Sequence, residues 1–446
     1  MLCKREKIFE MNLFKKILVK ILIVESKLIV KKYKPFIVAV TGSVGKTSTK
    51  DAIYSVLKDQ SRYVRKSEKS MNSEIGLPLT IIGVPNAWKS VSGWVKNISC
   101  GLGLILKKKD YPDCLILEIG ADHPGDISSV AEWLKPDVSV ITKVSKTPVH
   151  VEFFSSPEQV FEEKASLAEG VKDGGSLVLF ADDENVMKIK DRVSGRNVDV
   201  ITYGTNASMV NGSNLTIEYG MNGEMKYPTG IKFDIEMKGT KSSIGMKGVI
   251  GNTYQYPVLA AAAVGLAKGM SIEKIVKNLG SYSAPRGRMN LLAGLNGSTI
   301  IDDTYNSSPD ATVSALRSLK TIESSGVKVA ILGDMMELGK FSADEHKNIG
   351  KEVATVANVL ITVGQRSRAT ADEAIRSGMD SRKVFSYDSA ADVVSRGLPA
   401  AGGGDIILVK GSQSVRMERV VTALLRDQGN AENLLVRQEK EWLDKA

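Results

Sequence analysis

The stretch that decides the fold is Val38-Ala39-Val40-Thr41-Gly42-Ser43-Val44-Gly45-Lys46-Thr47-Ser48. A hydrophobic run typical of a buried strand leads into a glycine turn and then into a helical pattern. The glycines let backbone N–H groups converge on phosphate oxygens, and a helix start adds partial positive charge. In such a loop the Lys46 ammonium reaches the terminal phosphates and the Thr47 hydroxyl holds Mg²⁺. The sequence therefore predicts a nucleotide-binding loop made of Gly42, Ser43, Val44, Gly45, Lys46, Thr47 and Ser48.

One position of this loop departs from the commonest phosphate-loop pattern. That pattern has glycine five residues before Gly45, where this chain has Val40. A Gly-Lys-Thr turn arising by chance is the alternative interpretation. The strand before the turn and the helix after it favour the nucleotide loop.

The overall composition is that of a soluble globular protein. The 446 residues are 43% hydrophobic and 25% charged, and two or three domains are expected at this length. The three cysteines, Cys3, Cys100 and Cys114, lack metal-type spacing. Such a sparse, odd set argues against a disulfide framework and indicates a reducing cytoplasm.

The positive charge of the chain is concentrated at its N-terminus. The formal net charge is +9, and residues 1–35 hold ten Lys or Arg against three Glu, a net of +7. The remaining residues carry only +2. Because the body of the protein is nearly neutral, nucleic acid is not an expected partner.

The basic N-terminal segment, residues 1–35, has the pattern of an amphipathic helix. Its apolar residues at helical spacing are Phe14, Ile17, Leu18, Ile21, Leu22, Leu28 and Ile29, and the lysines opposite them are Lys16, Lys20, Lys27 and Lys31. This pattern is typical of a helix on an anionic membrane surface, and a helix packed on the protein's own surface is the alternative. Only four apolar residues separate Lys20 from Glu25, whereas a bilayer span needs about 20. A signal peptide is also disfavoured.

From Phe36 onward, short β-branched runs alternate with amphipathic helices. This alternation predicts an α/β fold with a parallel, doubly wound sheet. The predicted strands are 36–40, 114–119 and 137–142, and the predicted helices are 47–57, one from Pro157 and 256–268. Residues 199–250 are expected to form a β-rich part of the same domain. Ala284-Pro285-Arg286-Gly287 indicates a boundary between domains 36–284 and 285–446.

The domain after this boundary is expected to be a second, Rossmann-like α/β domain. Its predicted strands are 298–302, 327–332, 358–363 and 405–409, and its predicted helices begin at Pro309 and Ser342 and cover 414–426. The highly charged residues 430–446 predict a surface helix.

Five further blocks follow in an order that resembles the Mur ligase family, which also uses the shorter Thr-Gly-x-x-Gly-Lys-Thr loop. The blocks are Asn72-Ser73-Glu74-Ile75-Gly76-Leu77-Pro78, residues 117–127, residues 301–309, residues 332–339, and Val409-Lys410-Gly411-Ser412 with Met417-Glu418. With the phosphate loop, the resemblance covers residues 36–426.

The resemblance implies an ATP-dependent amide ligase that uses Mg²⁺ and acts through an acyl phosphate. A carboxylate is phosphorylated by the γ-phosphate of ATP, an amine attacks, and phosphate leaves. Cations and backbone dipoles must offset the charge that both steps concentrate. The implied substrates are a UDP-N-acetylmuramoyl-tripeptide, a peptidoglycan precursor, and D-alanyl-D-alanine. A monomeric cytoplasmic enzyme is expected, with contact between residues 1–35 and the membrane.

Three residues are expected to complete the catalytic and metal sites. Glu118 ends a predicted strand, where ligands gather in parallel sheets, and is the expected Mg²⁺ ligand; a surface salt bridge is the alternative. The resemblance implies that His150 helps to bind a second Mg²⁺, against a structural histidine. It also implies that Lys164 is carbamylated, against an unmodified lysine on the helix surface beside Glu162 and Glu163.

In the C-terminal domain, the resemblance implies further contacts. Arg288 is expected to contact the nucleotide, and Asp303, Tyr305 and Asn306 are expected at ribose, phosphate or substrate. Lys410 and Ser412 are expected near the acceptor. Glu337 and His346 are interpreted as structural.

Three departures from the family pattern leave other hypotheses open. Lys143 stands where the family has asparagine, and Thr253-Tyr254 stands where it has His-Asn. Only about 35 residues precede the ATP-binding strand, so the family's domain for the uridine nucleotide is not expected. A Mur-type ligase for another carboxylate is therefore one alternative, and a membrane-associated nucleotide-binding scaffold is another.

Overall fold

The computed structural model describes residues 2–68, 71, 74–88, 90–144, 153–206, 208–223, 225–397 and 402–443, with side chains from Lys15 onward. The chain forms two compact units. The first contains Met1–Val144, Glu158–Asn211 and Pro257–Tyr282, and the second contains Ser145–Pro157, Gly212–Tyr256 and Ser283–Ala446. Because the units are not continuous in sequence, the domain limits at residues 35, 284 and 285 stay predictions.

The first unit is built around parallel strands in the order β2-β3-β1-β4-β5-β6. The strands are β1 (Phe36–Thr41), β2 (Val64–Lys66), β3 (Cys114–Glu118), β4 (Val138–Ile141), β5 (Gly175–Phe180) and β6 (Val198–Gly204). Strand β1 lies between β3 and β4, and its residues Val38, Ala39 and Val40 are fully buried. Burial on both faces explains the continuous apolar run that predicted this strand.

Nine helices accompany these strands among the described residues. They are α1 (Leu2–Tyr33), α2 (Lys46–Leu57), α3 (Gly76–Ile82), α4 (Val91–Leu106), α5 (Ser128–Leu134), α6 (Pro157–Glu169), α7 (Glu184–Lys188), α8 (Gln255–Ala267) and α9 (Ile272–Leu279). Helix α8 is apolar on all sides, since every residue from Val258 to Val264 is fully buried. The predicted parallel α/β sheet is confirmed.

Helix α1 has one buried face and one exposed face. Leu18, Leu22 and Ile29 are buried against the first unit, whereas Ile17 and Leu28 remain exposed. Lys15 Nζ also lies 2.8 Å from Glu74 Oε1. The alternative of a helix packed on the protein's own surface is therefore correct for one face only. In the part of the chain that is described, no helix has the length and apolarity to cross a membrane.

The second unit contains a region of long strands and a mainly parallel sheet. The first comprises β7 (Val210–Asn222) from Gly212 onward, β8 (Met225–Met237) and β9 (Thr240–Lys247), and β8 and β9 form an antiparallel hairpin. This confirms that residues 199–250 are β-rich, whereas their assignment to the domain 36–284 stays a prediction. Tyr219 Oη accepts a hydrogen bond of 2.9 Å from the Glu323 N–H, which joins this region to the rest of the unit.

The second sheet has the strand order β10-β11-β15-β12-β13-β14. Its strands are β10 (Asn290–Ala293), β11 (Thr299–Asp303), β12 (Lys328–Gly333), β13 (Val359–Val363), β14 (Val384–Tyr387) and β15 (Ile406–Lys410). Only β10 is antiparallel to its neighbour. The accompanying helices are α10 (Pro309–Thr321), α11 (Ser342–Ala354), α12 (Arg368–Arg376), α13 (Ala390–Arg396) and α14 (Glu418–Leu424). The expected second α/β series is confirmed.

The prediction of one surface helix over residues 430–446 is wrong for the residues described up to 443. Two short helices, α15 (Ala431–Leu434) and α16 (Lys440–Leu443), are separated by a segment in which Leu435 and Arg437 are buried. The charged residues around them suggested a solvated helix. The buried partners of Arg437, which lie far away in sequence, decide the conformation instead.

A buried carboxylate joins the C-terminal segment to the end of β11. Glu418 accepts hydrogen bonds from Arg416 Nε at 2.5 Å and from Arg437 Nε at 3.2 Å. Arg437 also donates through Nη1 to the Tyr305 carbonyl at 3.1 Å and through Nη2 to the Thr304 carbonyl. The forked guanidinium therefore fixes the backbone that follows β11.

We expect Arg437→Met to lower the free energy of unfolding by about 2–4 kcal/mol, because it removes a buried ion-pair partner and leaves two carbonyls without this donor. Urea denaturation measures the change. Arg396→Met is the matched control, since Arg396 is exposed on α13 of the same unit, and we expect a change within about 0.5 kcal/mol. Equal unfolding midpoints for the two variants would contradict the role given to Arg437.

Candidate active site

The loop between β1 and α2 turns sharply at its two glycines. Gly42 has φ 143° and Gly45 has φ 88°, backbone conformations that other residues rarely adopt. A Cβ at position 42 would lie 1.9 Å from Thr142 Oγ1, so close approach requires glycine as well. At position 45 no atom lies within 4 Å of a Cβ. The first glycine is needed for space and conformation, and the second for conformation alone.

The end of β4 holds this loop in place. The Ser43 N–H donates to the Lys143 carbonyl at 2.8 Å, and the Thr142 hydroxyl donates to the Val44 carbonyl at 2.8 Å. The Lys46 ammonium donates to the Gly42 carbonyl at 2.8 Å. Lys143 acts through its backbone, so the change from the family's asparagine leaves this contact intact. At the other end of the loop, the Ser48 carbonyl accepts a hydrogen bond from Tyr282.

Helix α2 begins directly after the loop. Gly45 occupies its N-cap and has no side chain that could bond the N–H groups of the first turn. These N–H groups, together with the helix dipole, favour an anion at this end. The 12-residue helix Lys46–Leu57 therefore provides the polarity that the sequence predicts for a phosphate site.

The loop brings Thr47 and Glu118 together. Val40 of β1 pairs with Glu118 of β3, which places both strand ends at the same edge of the sheet. The Thr47 hydroxyl donates to Glu118 Oε1 at 3.1 Å. One hydroxyl and one carboxylate at this separation are hard oxygen donors of the kind that Mg²⁺ prefers. These two residues fit a magnesium ion that takes its other ligands from phosphate and water.

Lys50 is a charged residue of this site that the sequence did not single out. It lies one turn after Lys46, is almost completely buried, and its Nζ is 3.7 Å from Glu118 Oε2 and 3.7 Å from Asp51 Oδ1. The Ser67 hydroxyl also accepts a hydrogen bond of 3.2 Å from the Glu118 N–H. Glu118 thus forms a buried ion pair, and the surface salt bridge considered as its alternative is wrong.

Lys164 is buried on α6 and is only 4% exposed. Burial, followed by the positive charge of Lys46, lowers the pKa of Lys164 to about 7, although Glu163 and Asp122 act in the opposite direction. The influence of Lys46 places this amine in the surroundings of the phosphate loop. The alternative of a lysine on the helix surface is wrong, and carbamylation stays a prediction.

Glu163, beside Lys164, fixes the segment that follows β3. Its carboxylate accepts hydrogen bonds from the N–H groups of Gly125 at 3.0 Å, Ile127 at 2.5 Å and Ser128 at 2.9 Å. The Asp126 carboxylate accepts from the N–H groups of Asp122 and His123. In the block at residues 117–127, backbone N–H groups are therefore bound by carboxylates. The Glu163 carboxylate joins this segment, which follows Glu118, to α6.

The predicted second metal ligand, His150, lies outside the described residues, as do Asn72 and Ser73 of the asparagine-containing block. The role of His150 therefore stays a prediction. Considering only described residues, three or more His, Cys, Asp or Glu side chains nowhere gather into a metal-binding group. Among these residues, the protein therefore provides few ligands for a metal ion near Glu118. This is usual for Mg²⁺ that is held partly by phosphates.

The second unit contains the predicted C-terminal site residues in one cluster. Asp303 at the end of β11 pairs in register with Lys410 of β15, and Lys410 Nζ lies 2.6 Å from Asp303 Oδ2. Lys410 also donates to the Asn306 carbonyl at 2.9 Å. Burial lowers the pKa of Lys410, and the Asp303 carboxylate opposes that shift. Lys410 therefore holds the turn that carries Asp303 and Asn306.

Arg288 lies beside the same turn. Its guanidinium carbon is 4.1 Å from the centroid of the Tyr305 ring, and the Tyr305 N–H donates to the Gly287 carbonyl at 3.0 Å. The Tyr254 hydroxyl donates to the Arg288 carbonyl. Tyr254, one of the departures from the family pattern, therefore supports the backbone of Arg288.

His346 and Ser412 support the strand ends of this unit. His346 is buried, its Nε2 accepts from the Met335 N–H at 3.1 Å, and its Nδ1 lies 2.7 Å from the Ser342 carbonyl. These contacts require a neutral ring that donates through Nδ1, and burial lowers the pKa of His346 accordingly. Ser412 Oγ accepts from the Met336 N–H at 2.9 Å. The structural interpretation of His346 agrees with these contacts.

Two domain families match the chain. Residues 40–265 match the Mur ligase middle domain, and residues 287–413 match the Mur ligase glutamate ligase domain. The chain is 30% identical over 413 residues to the UDP-N-acetylmuramoyl-tripeptide–D-alanyl-D-alanine ligase of Mycobacterium tuberculosis (strain CDC 1551 / Oshkosh), covering 88% of this chain and 73% of the relative. It is 27% identical over 390 residues to the Bacillus subtilis (strain 168) protein of the same name, covering 87% and 76%.

Solved structures give the same result for the fold. The MurF ligase of Thermotoga maritima in complex with ADP aligns with a TM-score of 0.71 at 24% identity, covering 93% of this chain and 84% of the other. MurF from Acinetobacter baumannii aligns with a TM-score of 0.72 at 22% identity, covering 90% and 79%. The phosphate loop, the two α/β sheets and both domain matches lead to one conclusion: the chain belongs to the Mur ligase family.

Proposed function

We propose that this protein is an ATP-dependent ligase that adds D-alanyl-D-alanine to UDP-N-acetylmuramoyl-tripeptide in peptidoglycan synthesis. The observation that carries the proposal is the contact between Thr47 and Glu118 beside the glycine loop, at the carboxyl ends of β1 and β3. The names of the two curated relatives described above support the choice of substrates.

In this mechanism the first unit holds the triphosphate. The N–H groups at the start of α2 and the Lys46 ammonium offset the negative charge of the phosphates. Thr47 and Glu118 would hold Mg²⁺, which when bound neutralises charge on the phosphate oxygens during transfer. The carboxylate of the acceptor attacks the γ-phosphorus and ADP leaves. The amine then attacks the carbonyl carbon of the acyl phosphate, loses a proton and displaces inorganic phosphate.

We assign Arg288, Asp303 and Asn306 to nucleotide or substrate contacts, with Tyr305 beside Arg288. Their support is the cluster held by Lys410, which fixes the Asp303 carboxylate and the Asn306 backbone. Lys410 and Ser412 are assigned to the acceptor side. The His150 assignment to a second Mg²⁺ rests on the family pattern alone.

We assign a carbamate to Lys164. The neutral Lys164 amine would attack the carbon of CO₂, forming a C–N bond and releasing one proton, so that an anionic N-carboxylate replaces a cation. Two observations support this step. The amine is buried, and its pKa is lowered to about 7, so that about half of the Lys164 side chains carry a neutral amine at a pH of about 7. An anion there would offset the charge of Lys46.

We propose that the protein acts as a monomer on small-molecule substrates. It works in contact with the inner face of the cell membrane. The basic residues of α1 support this location, because anionic lipid attracts clustered lysines. The exposed side chains that support contact are Lys16, Lys20, Lys27 and Lys31.

We expect Lys46→Met to weaken ATP binding and to lower the rate of phosphate release by about a hundredfold or more, because one charge-stabilising donor is lost. Isothermal titration with ATP and a phosphate-release assay measure these effects. Lys274→Met is the control, since Lys274 is exposed on α9 of the same unit. ATP consumption by Lys46→Met at the rate of the unsubstituted protein would refute the proposed phosphate site.

Without another nucleophile, we expect phosphate release only when UDP-N-acetylmuramoyl-tripeptide and D-alanyl-D-alanine are both present with ATP. When hydroxylamine replaces D-alanyl-D-alanine, it should attack the acyl phosphate, form a hydroxamate and release phosphate. The panel should also contain acceptors with shorter peptides and single D-amino acids. Turnover with a different pair alone would refute the named substrates and leave the ligase class standing.

We expect a carbamate signal on Lys164 in ¹³C NMR with ¹³C-bicarbonate. The signal should grow as the pH rises from 6 to 8, because the neutral fraction of an amine with a pKa of about 7 increases over that range. Lys164→Arg should remove the signal and the activity. Lys172→Arg, on a half-exposed lysine paired with Asp137, should keep both. A signal that survives Lys164→Arg would disprove the assignment.

A further inference from the structure

Helices α1 and α4 each carry an exposed apolar stripe. On α1 the stripe is Ile17, Ile21, Val24 and Leu28, and on α4 it is Val91, Val95, Leu102 and Leu106. Within each helix the members are separated by three, four or seven residues, which places them on one side. Their exposed fractions run from 37% for Ile21 to 79% for Leu106. So many large apolar side chains on two neighbouring helices indicate an interaction surface.

The two helices are in direct contact. A Cβ at Gly101 of α4 would lie 2.3 Å from Glu25 Oε2 of α1, so the helices approach closely at this glycine. Lys32 Nζ donates to the Leu104 carbonyl at 2.7 Å and to the Lys107 carbonyl at 2.7 Å. Tyr33 Oη donates to the Leu104 carbonyl at 3.0 Å. The C-terminus of α1 therefore caps the C-terminus of α4, and the two stripes lie on helices in direct contact.

Exposed lysines accompany the stripes. On α1 they are Lys16, Lys20, Lys27 and Lys31, and on or just after α4 they are Lys96, Lys107, Lys108 and Lys109. Across residues 15–34 and 91–109 the sequence has one acidic residue, Glu25, which is buried. Residues 15–34 and 91–109 of the helix pair therefore present apolar and cationic groups without an exposed carboxylate.

This combination selects among possible partners. Two copies of a lysine-rich face repel each other, and nucleic acid provides no apolar surface for eight exposed aliphatic side chains. An anionic bilayer satisfies both groups, since its headgroups attract lysine and its acyl boundary accepts aliphatic side chains. Trp88, just before α4, is 80% exposed, and tryptophan is enriched at membrane–water interfaces.

We propose that the exposed faces of α1 and α4 together form a docking surface for an anionic lipid bilayer, into which both apolar stripes and Trp88 insert. This proposal rests on the peripheral membrane contact proposed above for α1 and extends that contact to α4. The sequence pattern of residues 1–35 does not indicate a role for α4. The bound enzyme lies on the bilayer, with α1 and α4 at its interface.

Sedimentation of the full chain with vesicles tests the proposal. We expect binding to vesicles of phosphatidylglycerol and phosphatidylcholine, weak binding to pure phosphatidylcholine, and weakening by salt. Lys16→Gln/Lys20→Gln should reduce binding by about tenfold or more, and Leu102→Gln/Leu106→Gln should reduce it by a similar factor. The controls are Lys274→Gln/Lys277→Gln on α9 and Ile375→Gln/Val394→Gln in the second unit, all exposed. Brominated lipid should quench fluorescence in the parent and much less in Trp88→Phe.

The outcomes separate the two levels of the proposal. Loss of binding in the α1 and α4 variants, with unchanged controls, supports the joint surface. Loss in the lysine variant alone overturns the joint surface and leaves contact through α1. Absence of binding to anionic vesicles overturns both, while ligase activity in solution is a separate measurement. A stable dimer that Leu102→Gln/Leu106→Gln dissociates would assign the face to a second copy and overturn the bilayer proposal.

Discussion

The loop between β1 and α2 can follow its path only because glycine stands at position 42. Thr142 at the end of β4 occupies the space where a Cβ would lie, and its hydroxyl bonds the carbonyls of Thr41 and Val44. The loop is therefore held in this path by the residue that follows a neighbouring strand. A preformed loop loses less conformational entropy on binding than one that must fold around a phosphate. The contacts of Thr47 and Lys46 follow from this geometry.

Buried charge around Glu118 imposes a second constraint. Removing a carboxylate from water is costly unless a cation or hydrogen bonds compensate for it. Lys50 and Thr47 provide such compensation for Glu118. Lys66 Nζ, 2.6 Å from Asp51 Oδ1, offsets the charge of the second carboxylate beside Lys50. The network keeps the Glu118 carboxylate at the strand end in a defined orientation. A metal ligand placed there benefits from support by the surrounding residues.

The sequence predicted the local features of this site well. β1, its glycine turn and the start of α2 are contiguous, so pattern and turn chemistry together were sufficient. Lys50, Thr142 and Glu163 were not predicted as site residues, because their partners lie far from them in sequence. A lysine one turn after Lys46, on the same side of α2, was the one available signal for Lys50. The prediction of one helix for the C-terminal segment was wrong for the same reason. The contacts of Arg437 with Thr304 and Glu418 produce no periodic pattern in the sequence.

For helix α1, the periodicity of the sequence predicted the helix but did not predict which of its apolar residues are buried. A single apolar side was expected, yet the helix has three sectors: a buried one with Leu22, an exposed apolar one with Val24, and an exposed basic one with Lys20. The buried and exposed apolar sectors are adjacent, so both contribute to one broad hydrophobic side in a sequence pattern. The neighbouring helices, chiefly α3 and α4, determine which apolar residues of α1 are covered. Because apolar side chains remain after that covering, burial within the protein does not account for all of the hydrophobicity of the helix.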